Sequence, residues 1–211
     1  MMEPLPIRKK LNELKSLLEK RHDIQLEDQL AFLFGIRPLP DERILITLDG
    51  HCASGKTTLA GELAKALGAA VLHTDDFVVP HSRKTPERLA VPGGNCDWER
   101  LTSEAISPWK EGLSPLYRRY DCRNDCLLPP ERIAHDRLLI LEGSYCNLPG
   151  IRQYADLRLF LVTSEAERME RLRRRESPES LQRFFEKWIP LENAYFQAYA
   201  LPDNVCVLVR E

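Results

Sequence analysis

The chain has 211 residues, 43% hydrophobic and 29% charged, with 30 Lys and Arg against 32 Asp and Glu for a formal net charge of −2. That length accommodates one α/β domain with a sizeable core, and the near balance of charge excludes an overall basic field for nucleic acid or an anionic membrane. No apolar run approaches a membrane span and the start, Met1-Met2-Glu3-Pro4-Leu5-Pro6, lacks the apolar core of a signal peptide, so the cytoplasm is the expected location.

Residues 7–20 carry Ile7, Leu11, Leu14, Leu17 and Leu18 among lysines and glutamates, which predicts an amphipathic helix packed on the domain or on a partner. Pro38-Leu39-Pro40-Asp41 breaks the chain, so residues 1–40 are expected as an N-terminal helical appendage and 41–211 as the main domain. A strand over Ile44–Leu48 follows. A helix opening at Thr57 places Leu59, Leu63, Ala66 and Leu67 on one face and stops at Gly68. Ala70–His73 reads as a second strand that delivers Thr74-Asp75-Asp76-Phe77 at its C-terminal end, where ligands bind in open α/β sheets. Residues 78–98, with Pro80, Pro86, Pro92 and Gly93-Gly94, read as a long loop of the kind that carries function. Helix is expected over Glu99–Lys110, then a polar aromatic stretch, Tyr117 to Asp121, and a connector with Pro129-Pro130. Strands follow at Leu138–Leu141, Leu157–Val162 and Val205–Val209, with a cationic helix at 165–175 and a long helix at 180–200 between the last two. Apolar strands separated by helices imply a parallel sheet covered on both faces.

Six cysteines, at 52, 96, 122, 126, 146 and 206, occur without an export signal, so reduced thiols are expected. Cys122 and Cys126 have only His135 near them and no second close pair, so they read as ordinary side chains rather than zinc ligands.

Between the first strand and its helix lies Gly50-His51-Cys52-Ala53-Ser54-Gly55-Lys56-Thr57, which fits G-x-x-x-x-G-K-[ST]. Glycines at that spacing let backbone N–H groups turn inward around phosphate oxygens, the lysine reaches the β and γ phosphates, and the hydroxyl ligates Mg²⁺. Gly50, Cys52, Ala53, Ser54, Gly55, Lys56, Thr57 and Thr58 are therefore the candidate nucleotide-binding residues, helped by the positive end of the following helix. Asp75 or Asp76 can take the proton of an attacking hydroxyl, or can cap a loop. Glu142, after four apolar residues, is placed to hold Mg²⁺ directly or through water. Arg168, Arg171, Arg173, Arg174 and Arg175 crowd one helix, where some can neutralise a transferring phosphoryl group and the others face solvent.

These residues resemble the uridine kinase family of P-loop kinases and, more broadly, the pantothenate and phosphoribulose kinases. The resemblance runs from about Ile44 to Val209. It rests on the Asp-Gly-x-x-x-Ser-Gly-Lys-Thr-Thr loop, Asp75-Asp76-Phe77, Asn95-Cys96-Asp97, Tyr120-Asp121, Glu142-Gly143, and the Arg-rich segment followed by Phe184 to Tyr195. It implies a P-loop NTPase three-layer α/β fold with a five-stranded parallel sheet, ordered 2-3-1-4-5, and a mobile helical lid. It implies Lys56 on phosphates, Thr57 and Glu142 on Mg²⁺, Asp75 as base toward a nucleoside 5′-hydroxyl, Asp97 on the ribose hydroxyls and Tyr120 beside the base. Arg171 and Arg175 resemble lid or acceptor-site arginines. The chain departs from uridine-cytidine kinases in having no histidine in Cys122-Arg123-Asn124-Asp125, and its approach to Asn95 through Gly93-Gly94 also differs.

The expected activity is an ATP- and Mg²⁺-dependent kinase acting on a small hydroxyl acceptor, with a pyrimidine nucleoside leading. A nucleoside monophosphate kinase and a nucleotide-hydrolysing regulator remain open beside it. The partners expected are the nucleotide and the small acceptor, without nucleic acid or membrane, and self-association is left open.

Overall fold

Six strands, all parallel, form the main sheet: β1 (Leu5–Pro6), β2 (Ile44–Asp49), β3 (Ala70–His73), β4 (Leu138–Glu142), β5 (Leu157–Val162) and β6 (Cys206–Val209). Their spatial order is β1-β6-β5-β2-β4-β3. The computed structural model describes residues 5–20, 24–134, 137–203 and 205–209; His135 lies outside them. The five strands expected from the sequence stand in the order 2-3-1-4-5, and the sixth, β1, is a two-residue addition at the β6 edge too short to leave a pattern.

Central strands β2 and β4 are buried at every residue, which is why they read as unbroken apolar runs. Alternation sorts their side chains to the two faces. Ile44, Ile46, Leu48, Leu138 and Ile140 join one apolar layer, while Leu45, Leu139 and Leu141 join the other. The first layer is closed by α1 (Ile7–Lys20), α2 (Leu26–Phe34) and α3 (Lys56–Leu67), through Ile7, Leu11, Leu14, Leu30, Leu33, Leu59 and Leu63. Helices α1 and α2 thus share a core with the phosphate-loop helix. The second layer contains Leu101, Ile106, Trp109, Tyr195 and Phe196.

The helix expected at 99–110 runs from Trp98 to Lys110 with a π-helical turn over Thr102–Ile106. The cationic helix is α4 (Glu165–Arg175), capped by the Ser164 side chain, which accepts from the Glu167 amide. The long helix expected at 180–200 is three pieces, α5 (Pro178–Arg183), a π-helical turn at Phe184–Trp188 and α6 (Ile189–Ala198). Two small antiparallel pairs, Leu116–Tyr117 with Glu131–Arg132 and Tyr120–Asp121 with Cys126–Leu127, occupy the polar stretch. Helix α2 was not legible in the sequence. Among the described residues no helix is long and apolar enough to cross a membrane.

Candidate active site

Register brings the C-terminal ends of three strands level. Leu48 of β2 lies opposite Glu142 of β4, which lies opposite His73 of β3. Just beyond them the loop from β2 to α3 wraps back over the sheet. Gly50 has φ +143°, and a Cβ there would sit 2.5 Å from the Leu161 carbonyl oxygen, so this turn admits only glycine. Ala53 also takes a left-handed conformation, at φ +59°. Gly55 caps α3 without a side-chain hydrogen bond, which leaves the helix N-terminus open to an anion.

Lys56 is nearly buried and its Nζ donates to the carbonyls of Gly50 at 2.7 Å and His51 at 2.9 Å. Thr57 Oγ1 donates to Glu142 Oε1 at 3.0 Å. The same carboxylate oxygen lies 2.6 Å from His73 Nδ1, and this hydrogen bond raises the His73 pKa against the opposing effect of burial. Asp75 sits in a 3₁₀ turn, Thr74–Phe77, that follows β3. Its carboxyl opens into the cleft, yet protein crowds it on the other sides. That desolvation raises its pKa, while the Lys56 charge pulls it down and Glu142 pushes it up. Asp76 does not line the cleft; burial raises its pKa as well.

Behind the loop a buried polar group supports it. Asp49 accepts from the Gly50 amide at 2.8 Å and from Tyr195 Oη at 2.7 Å, and Asn147 contacts it at 3.3 Å. Full burial pushes its pKa up to about 6 although Tyr195, the Gly50 amide and Lys56 act the other way. On the cleft side Glu192 of α6 accepts from the Cys52 amide at 2.9 Å and from Ser144 Oγ. Burial works to raise the Glu192 pKa; the His51 contact, Lys56, Ser144 and the Cys52 amide together hold it below the usual carboxylate range. Sequence reasoning missed Glu192 and His73. Nothing in the sequence marks Glu192, whereas His73 stood at a strand's C-terminal end.

The Arg-rich helix meets the phosphate loop directly. Arg171 Nη1 donates to the carbonyls of Ala53 at 3.1 Å and Ser54 at 2.9 Å, and its other nitrogen pairs with Glu167. Buried Arg168 donates to the Cys52 carbonyl at 3.3 Å. Arg175 pairs with Glu176 at 2.7 Å and lies over the Phe184 ring at 5.8 Å. The Arg174 side chain is 77% exposed and pairs with Glu170, so it belongs to the solvated part of the cluster.

The phosphate loop, the end of β4 and the Arg-rich helix border one cavity of about 830 Å³. Cys52, Ala53, Gly55, Lys56, Thr57, Thr58, Asp75, Glu142, Arg171 and Arg175 line it together. Gly50 and Ser54 shape the loop from behind. Asp97 and Tyr120 do not line the cavity. Asp97 is buried, with Arg83 Nη1 at 3.2 Å and Arg100 Nε at 3.5 Å, so arginines hold the carboxylate expected to meet ribose. Tyr120 donates its hydroxyl to Asp125 and accepts from the His81 amide at 3.2 Å, which occupies its polar tip. Cys122 and Cys126 are exposed free thiols, and among the described residues no group of three or more His, Cys, Asp or Glu is arranged to hold a metal.

The residues present fit a nucleotide triphosphate with Mg²⁺. An open helix N-terminus and a turned loop provide amides for phosphate oxygens, and Thr57 with Glu142 offers the hard oxygen donors that Mg²⁺ prefers. No protein-family profile matches the sequence, and no curated protein shows significant sequence similarity to it. Solved structures do match. A possible uridine kinase from Bacillus stearothermophilus superposes with a TM-score of 0.66 at 18% identity, covering 97% of this chain and 98% of that one. The fold is that of the uridine kinase-like P-loop kinases. A candidate fructose transport system kinase from Silicibacter sp. TM1040 matches this P-loop kinase fold with a TM-score of 0.65 at 21% identity, covering 94% and 97% of the two chains. A candidate P-loop kinase from Saccharomyces cerevisiae with a circular permutation gives 0.59 at 12% identity over 97% and 99%.

Proposed function

We propose that this chain is an ATP- and Mg²⁺-dependent kinase that transfers the γ-phosphoryl group to a hydroxyl of a small molecule. The observation that carries the reading is the carboxylate of Asp75 in the same cavity as Lys56, Thr57 and Glu142. A hydrolytic switch has to hold water, whereas a carboxylate with a raised pKa, open to a cavity this large, suits taking a proton from an alcohol.

In this reading Lys56 leaves the carbonyls of Gly50 and His51 to meet the β and γ phosphates, and Thr57 and Glu142 would hold Mg²⁺. Bound there, Mg²⁺ would supply neutralisation of phosphate charge. Asp75 accepts the acceptor's proton as its oxygen bonds to the γ phosphorus; the bond to the bridging oxygen breaks and ADP leaves. Arg171 and Arg175 place positive charge at the phosphoryl group, with α4 and α5 forming the lid. Residues 1–40 are an addition to the 41–211 kinase unit, joined to its core through α1 and α2. Six free cysteines suit the cytoplasm as its compartment.

The pyrimidine nucleoside as acceptor rests on resemblance. Its two recognition residues, Asp97 and Tyr120, are engaged by Arg83, Arg100, Asp125 and His81, so the proposed substrate is a hydroxyl acceptor, with the nucleoside as one case of it. The test is purified protein with ATP and Mg²⁺ against nucleosides, pantothenate and related alcohols, with products identified by mass. A phosphorylated alcohol is expected; ATP consumption without any phosphorylated acceptor would give the site to hydrolysis instead.

A further inference from the structure

Several exposed arginines are matched with acids: Arg83 with Asp97, Arg118 with Glu104, Arg119 with Glu131, Arg175 with Glu176. On the cavity wall, apart from Lys56, which donates to backbone carbonyls, three cations are not. Lys84, from the long loop after β3, Arg183, the last residue of α5, and Lys187, from the π-helical turn between α5 and α6, line the cavity and have no carboxylate within ion-pair distance among the described residues. Asp125 is the acid whose field reaches Lys84, but its carboxylate is occupied by Tyr120 Oη and the His81 amide. Lys187 Nζ lies 4.8 Å from the centre of the Trp188 ring, which also lines the cavity.

Like charges facing one cavity repel, and the repulsion is relieved when an anion enters between them. Burial depresses the Lys84 pKa; the charge of Lys187 acts in the same direction, while Cys122 and Asp125 act against it. A second observation points the same way. Asn95 lines the cavity and its Oδ1 is buried without a hydrogen-bond partner, so a donor is missing that a hydroxyl of a bound molecule would supply.

We propose that the acceptor carries an anionic group, a carboxylate or a phosphate, besides its hydroxyl, and that Lys84, Lys187 and Arg183 hold that group while Asn95 accepts from a hydroxyl. This rests on the kinase reading above. The anchored group fixes the molecule so that the reacting hydroxyl oxygen gains the γ-phosphoryl group, its proton passes to Asp75, and ADP is released. An uncharged nucleoside would leave all three cations without a partner.

The experiment uses the full chain with ATP, Mg²⁺ and acceptors in matched pairs: glycerate and glycerol, gluconate and glucitol, glucose 6-phosphate and glucose, uridine monophosphate and uridine. Carboxylate and phosphate are thereby separated from each other and from no charge. At least one charged member is expected to exceed its uncharged partner tenfold or more in kcat/KM. Lys84→Ala and Lys187→Ala should raise the KM for that acceptor about tenfold and move the KM for ATP less than twofold, with Lys84→Arg recovering part of the loss. In parallel, calorimetric titration of the charged members into wild type holding a non-hydrolysable ATP analogue should show binding that Lys84→Ala weakens.

An uncharged partner phosphorylated as well as its charged counterpart overturns the anion site and leaves the kinase. Variants that change the KM for ATP rather than for the acceptor also overturn it, assigning the three cations to the nucleotide. Absence of both turnover and binding for every charged member overturns it as well. Binding that Lys84→Ala weakens, with ATP hydrolysed and no acceptor phosphorylated, supports the anion site and removes the kinase.

Discussion

Glu192 accepts a hydrogen bond from the backbone amide of Cys52 across 2.9 Å, joining the last helix to the phosphate loop over 140 positions of sequence. The carboxylate is 3% exposed and also receives the Ser144 hydroxyl, so it tethers α6, the loop after β4 and the nucleotide loop at one point. Removing it strands the Cys52 amide and leaves the Ser144 hydroxyl only the Gly50 carbonyl at 3.5 Å, at a cost of about 1–3 kcal/mol for the unpaired amide. Glu192→Ala should therefore lower the thermal midpoint by several degrees and weaken ATP binding. Calorimetric unfolding and ATP titration check this; unchanged values for both would mean that the contact organises nothing.

Asp49 makes stability depend on pH in the direction opposite to most carboxylates. Its folded pKa is raised to about 6, above the ordinary 3.8. Between these values the folded chain keeps a proton that the unfolded chain has released. Its contribution to stability is therefore fullest below about pH 4, falls as pH rises toward 6, and is level above that. Urea unfolding of wild type and Asp49→Asn from pH 4 to 7 should show the difference between them moving in that sense. A constant difference would place the Asp49 pKa in the usual range.

Arg171 and Arg175 should separate kinetically. Arg171 already braces the carbonyls of Ala53 and Ser54, so Arg171→Ala should loosen the loop and damage both ATP binding and turnover. Arg175 touches Phe184 and Glu176 rather than the loop, so Arg175→Ala should lower kcat by on the order of tenfold or more with little change in the KM for ATP. Steady-state kinetics with ATP varied distinguishes them, and equal profiles would contradict the division of labour.

Residues 5–34 should prove indispensable to folding. Leu11 is 1% exposed and packs in the layer that contains Leu59 and Leu63. Leu11→Ala should cost about 2–5 kcal/mol in urea unfolding, and deletion of residues 1–40 should yield insoluble protein. A stable, soluble 41–211 fragment would show that the addition is dispensable.

Local pattern carried much of this architecture. The phosphate loop was legible because a glycine-rich turn between an apolar strand and an amphipathic helix is written in consecutive residues, and Glu142 because it ends a buried strand. The order of the five long strands came with the resemblance those motifs carry. What escaped depends on distance: Glu192 gains its meaning from Cys52 and Ser144, and Asp97 meets Arg83, neither of which a sequence window shows. Strand β1 escaped because two residues have no period, and its partner β6 lies at the other end of the chain.

Asp75 is where the account is most exposed. Asp75→Asn keeps the size of the side chain and removes its ability to take a proton. With ATP, Mg²⁺ and the best acceptor from the panel, turnover should fall on the order of a hundredfold or more. ATP should still bind, and Asp76→Asn, altering a residue outside the cavity wall, should cost only a few-fold. Because the Asp75 pKa is raised, the acid limb of the wild-type kcat/KM profile should lie above the usual carboxylate range and be absent from the residual activity of Asp75→Asn. Wild-type turnover by Asp75→Asn, or a heavier loss with Asp76→Asn, would contradict the assignment of Asp75 as the base of a hydroxyl kinase.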